Sequence, residues 1–63
     1  MLFKNDDFPE FKLLDDKCFQ LERWGRDEEI IRETGEDLRD NFLSKVSEFR
    51  VIESDSCFAL YVR

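Results

Sequence analysis

Apolar and polar positions alternate near both ends of this chain and recur every three to four residues in its middle. From Phe11 to Trp24 the period is two. Phe11, Leu13, Phe19 and Leu21 alternate with polar or smaller residues, the pattern of half-buried strands. The polar triplet Asp15-Asp16-Lys17 divides the run. A loop of these three residues sets Leu13 opposite Phe19 and Phe11 opposite Leu21, with all four on one face. A two-residue loop would instead set Phe19 opposite Lys12. The hydrophobic pattern therefore predicts a hairpin with the longer loop.

Asp27 to Phe49 changes to helical spacing. Ile31, Leu38, Phe42, Val46 and Phe49 fall on one face at 100° per residue, and Gly35 falls among them. Glycine inside a helix costs about 1 kcal/mol relative to alanine, so Gly35 points to a close approach between helix and sheet. A competing reading takes Thr34-Gly35-Glu36-Asp37 as an N-cap with acidic first-turn residues, which splits the segment in two. The unbroken phase from Ile31 to Phe49 favours one helix. Val51-Ile52 and Phe58 to Val62 are strong strand formers around the turn residues Ser54-Asp55-Ser56. The predicted fold is α+β: hairpin, helix, hairpin (ββαββ). It forms a four-stranded antiparallel sheet with one long helix packed on one face. Residues 1–10 add an extended arm held by Phe3 and Phe8.

Sixty-three residues form one small domain, which buries only roughly 60% of the surface of its unfolded chain. Seven Phe, one Trp and one Tyr nevertheless supply enough core material to expect a folded unit. There is no apolar run of bilayer length and no apolar leader near the N-terminus, so the expected compartment is the cytoplasm, without membrane association. Cys18 and Cys57 are too few for a disulfide framework and lack CxxC spacing, so reduced thiols, buried or half-buried, are expected.

The chain contains no His, which excludes His-based triads and His-containing metal motifs. No glycine-rich phosphate loop is present. Carboxylate pairs at Asp6-Asp7, Asp15-Asp16 and Glu36-Asp37 read as solvated turn or surface acids. No catalytic residue, metal site or cofactor is expected, and the chain is not read as an enzyme. The net charge of −6, with its basic residues scattered singly, disfavours direct contact with nucleic acid or anionic membrane.

Most of that charge sits on the helix. Asp27 to Asp40 holds seven acids and two Arg, a net of −5. Glu29, Glu33, Glu36 and Asp40, with Asp37 beside them, project opposite Ile31, Leu38 and Phe42. Three like-charge pairs at i,i+4 (Glu29/Glu33, Glu33/Asp37, Glu36/Asp40) each destabilise a helix by about 0.2–0.5 kcal/mol. Glu28–Arg32 and Arg32–Glu36 are expected to offset part of this. A solvated outer face explains the pattern as far as the helix dipole goes. An acidic ridge that engages a basic surface on another protein explains the repulsions as well.

A second candidate surface is the sheet face away from the helix. If Phe11, Leu13, Phe19, Leu21, Phe58 and Leu60 face the helix, then Leu14, Cys18, Cys57, Ala59 and Tyr61 face the other way, and Trp24 shares the parity of Cys18. Leu14, Cys18, Trp24 and Tyr61 would then form an apolar docking face for a structural or regulatory subunit. That face could also be covered by the N-terminal arm or buried in a homodimer.

In size and composition the chain is similar to phage-encoded inhibitors of host nucleic-acid enzymes and defence complexes. The likeness rests on no particular residues, and it implies a nucleic-acid mimic that blocks a protein partner.

Overall fold

The computed structural model describes residues 8–63. Its elements are β1 (Phe11–Leu14), β2 (Lys17–Gly25), α1 (Glu28–Asp40), a single 3-10 turn (Phe42–Ser44), β3 (Phe49–Ser54) and β4 (Cys57–Val62). The strands form one antiparallel, curled sheet in the order β1-β2-β4-β3, with α1 across one face. The fold is the α+β, ββαββ arrangement that the sequence predicts.

Both hairpins close through two residues. Asp15 and Asp16 have φ of 55° and 66°, and Asp55 and Ser56 have φ of 55° and 67°. Two successive left-handed residues make the type I′ turn, whose twist matches that of the flanking strands. Asp and Ser adopt these angles at lower cost than most side chains because they are short and polar. The first hairpin therefore corrects the expected three-residue loop. Lys17 belongs to β2 and pairs with Leu14, so Phe19 lies opposite Lys12 and Leu13 opposite Cys18.

That shift divides the apolar residues between two cores. Phe58 and Leu60 face the helix as predicted and, with Val62, pack with Ile31, Leu38 and Phe49. Phe19 and Leu21 face the opposite side, with Ala59 and Tyr61. A β-bulge follows: Leu21 pairs with Tyr61, but Arg23 already pairs with Leu60. The extra residue puts Leu21 and Trp24 on the same side despite their odd spacing. Phe11 and Leu13 do lie on the helix side, in register with Gln20 and Cys18. They belong to the edge strand, whereas α1 packs chiefly on β4 and β3, so both remain exposed.

The second core is roofed by the described part of the N-terminal arm. Phe8 is 3% exposed and sits among Phe19, Ala59 and Tyr61. The Tyr61 hydroxyl donates to the Pro9 carbonyl at 2.7 Å, and the Leu21 amide donates to the Glu10 carbonyl at 2.7 Å. Phe3, the other expected anchor, lies outside the described residues.

The helix is one unit through Gly35 but shorter than the expected 27–49 span. The Asp27 carboxylate caps its start, accepting from the Glu29 and Ile30 amides at 3.0 and 3.4 Å. Asn41 ends it in extended conformation, and its side chain accepts from the Leu43 amide. Lys45, at φ 64°, then turns the chain back toward the sheet. Phe42 is consequently 85% exposed, and Phe49 opens β3. Helical phase alone did not register the Asn41 stop, because Val46 and Phe49 reach the same core from outside the helix.

Gly35 is buried where α1 crosses the sheet. A Cβ there would lie 2.6 Å from a Phe49 ring carbon and 2.8 Å from a Leu60 methyl. Gly35→Leu is accordingly expected to lose at least about 1–3 kcal/mol through overpacking. Gly35→Ala gains about 1 kcal/mol of helix propensity against the same clash and should come out neutral to destabilised. Chemical denaturation of both variants checks this; an alanine variant stabilised by the full propensity gain would mean that helix and sheet are farther apart.

Candidate functional site

The packing of α1 fixes which of its sides meets solvent. With Ile31, Gly35 and Leu38 against the sheet, Glu29, Glu33, Glu36, Asp37 and Asp40 fall within an arc of about 100° on the opposite side. All five are exposed. Glu28 pairs with Arg32 at 2.6 Å, while the expected Arg32–Glu36 pair is not formed. Arg39 Nε lies 3.7 Å from Asp40, and its guanidinium also stacks 5.3 Å from the Phe49 ring centre. Glu29, Glu33, Glu36 and Asp37 make no ion pair with another described residue. The ridge is therefore a row of carboxylates at one-turn spacing, about 5–6 Å between neighbouring Cβ atoms.

The helix N-terminus offers no free anion site, because Asp27 already occupies its amides. A cleft of ≈ 180 Å³ beside it is lined by Arg23, Trp24, Arg26 and Ile30. It is smaller than the roughly 300 Å³ at which small-molecule sites begin. Arg23 is also partly engaged there, donating to the Thr34 hydroxyl at 3.2 Å. Among the described residues, no cluster of three or more carboxylates or thiols is placed to hold a metal ion.

The second candidate surface is not one face. Tyr61 is fully buried and Leu14 half-buried in the Phe19 core, both on the arm side. Burial raises the Tyr61 phenol above its ordinary pKa, so it stays a neutral hydrogen-bond donor. Trp24 shares that side, 43% exposed, with its ring centre 6.5 Å from that of Phe8. Cys18 lies on the other side, exposed and opposite Leu13, because the two-residue turn reverses its expected parity. The apolar side chains that do meet solvent include Phe11, Leu13, Phe42 and Leu43. Phe11, Leu13 and Phe42 read as core residues from the sequence; the edge position of β1 exposes the first two, which no signal in the chain reveals, and the Asn41 stop exposes Phe42.

The chain matches no protein-family model, no curated protein and no solved structure among those compared. No helix among the described residues is long and apolar enough to cross a membrane.

The placement of the two thiols makes a direct check of the first hairpin. In native protein, Cys18 should react rapidly with a soluble thiol reagent and Cys57, half-buried against the Phe19 core, much more slowly. The two rates should converge in denaturant. Equal protection of both in the native state would mean that Cys18 is covered and the register wrong.

Proposed function

We propose that this chain is a small protein-binding module rather than an enzyme. In this reading its acidic helix face docks on a basic surface of a nucleic-acid-handling protein or defence complex and blocks or modulates it. The observation that carries the reading is the row Glu29-Glu33-Glu36-Asp40 with Asp37. These carboxylates are exposed, four of the five are unpaired with any described cation, and they stand on a helix whose back is anchored to the sheet. Repulsion between neighbours along the row opposes helix formation, so stability alone does not favour it. A partner's Lys and Arg would relieve that repulsion on binding. Long-range attraction would also speed encounter before any contact forms.

Neutralising the row separates this function from folding. Glu33→Gln, Glu36→Gln and Asp40→Asn together remove three i,i+4 repulsions, so the melting temperature should stay level or rise. Association with the protein's binding partner should slow, affinity should fall, and the salt dependence of binding should flatten. Paired melting and binding kinetics at two salt concentrations measure both effects. A neutralised variant that binds as fast and as tightly as the parent would reduce the ridge to a solvated face.

A further inference from the structure

Strands β1 and β3 are the two edges of the sheet, with β2 and β4 between them. The tip of the first hairpin nevertheless touches β3 and the residue before it. Arg50 Nη2 donates to the Asp15 carboxylate at 3.0 Å, and Lys17 Nζ donates to Glu48 at 3.3 Å. These pairs form because the sheet curls and the tip folds across the side that holds Phe19. Glu48 is their hub, accepting also from Arg50 at 3.0 Å and from Arg63. The Arg50 guanidinium lies 5.3 Å from the centre of the Phe19 ring. Beneath this cluster Phe19 and Tyr61 expose no surface. Among the described residues, no backbone hydrogen bond joins the tip to β3.

We propose that the tip of the first hairpin is a releasable flap, latched over the Phe19–Tyr61 core by the Asp15–Arg50 and Lys17–Glu48 pairs. Each pair is at least partly exposed, with side-chain exposures from 25% to 74%, so each is individually weak and screened by salt. The helix-side core does not depend on the latch. The tip can therefore open while α1, β3 and β4 stay folded, as a local rather than a global event.

Acid weakens the Glu48 half of the same latch. The charged groups facing Glu48 are Lys17 from β2, Arg50 from β3 and Arg63 at the chain's end, with Asp15 reached through Arg50. Hydrogen bonds from Arg63 first, then Arg50, hold the Glu48 carboxyl at about 2 against an ordinary 4.5. Arg63 and Arg50 stay beside Glu48 when the tip opens and hold its carboxyl low in both forms. The share that belongs to the latch is the smaller one from the Lys17 hydrogen bond, present above the Glu48 pKa and lost as pH falls through it. Arg50, raised above its ordinary value by Asp15 and Glu48, stays charged throughout.

Residue-resolved amide exchange on the full chain tests the flap. Lys12 and Phe19 pair only across the hairpin itself, and a released two-stranded tip is marginal in water and frays, so their exchange reports on it while Leu60 reports on the helix-side core. Glu48→Gln at low salt should accelerate flap exchange by up to about fivefold and leave Leu60 unchanged. High salt should do the same to the parent and have a smaller further effect on the variant, which keeps the Asp15–Arg50 pair. Asp15→Asn keeps the Glu48–Arg63 pair and should give a smaller acceleration at the same amides, which preserves the test if the Glu48 variant does not fold. Flap exchange that neither substitution alters, or acceleration of Leu60 by the same factor, would overturn the proposal.

Discussion

Strand β4 is covered on both faces, and the rest of the molecule is arranged around that constraint. Its alternate residues feed different cores: Ala59 and Tyr61 on one side, Leu60 and Val62 on the other. One helix covers one face only. The second roof comes from Phe8 and from the first hairpin, where Leu21 shares the side of Phe19 by alternation and the bulge turns Trp24 to it. Tyr61 brings a hydroxyl into that second core, and a buried hydroxyl without a partner costs about 1–3 kcal/mol. The Pro9 carbonyl meets this need and in doing so ties the N-terminal arm to the sheet.

The same arrangement determines how charge is displayed. Among the described residues, two acids meet cations between the hairpin tip and β3: Glu48 with Lys17, Arg50 and Arg63, and Asp15 with Arg50. On α1, Glu28 meets Arg32 and Asp40 lies near Arg39, while Glu29, Glu33, Glu36 and Asp37 meet no described cation. That contrast, rather than acidity as such, is what supports the proposal that the ridge binds a partner. The hairpin latch and the ridge both respond to salt, but on opposite sides of the sheet and by different residues, so substitutions separate them.

Much of this was legible in the chain. Period-2 and period-3.6 patterns located the strands and the helix, and the cost of a helical glycine marked Gly35 as the helix–sheet contact. The exposed row of carboxylates followed from the helical phase of Ile31 and Leu38. Side-chain parity in the first hairpin was not legible, because it depends on one residue of loop length. Asp15-Asp16 can form a type I′ turn without glycine, and the hydrophobic pattern favoured the other register. The exposure of Phe11 and Leu13 depends on strand order, which places β1 beyond the helix. The bulge at Leu21–Arg23 compensates for the shift, and a one-residue irregularity leaves no mark in an alternating pattern. The stop at Asn41 was masked because Val46 and Phe49 continue the helical phase from non-helical backbone.

β4 separates two cores, with Phe19 and Leu60 on opposite sides of the sheet. Aromatic-to-methyl nuclear Overhauser effects measure this directly. The Phe19 ring should show contacts to Ala59 and Tyr61, and the Leu60 methyls should show contacts to Gly35 and Ile31. Contacts between the Phe19 ring and Leu60 or Ile31 would place Phe19 under the helix and contradict the two-core account.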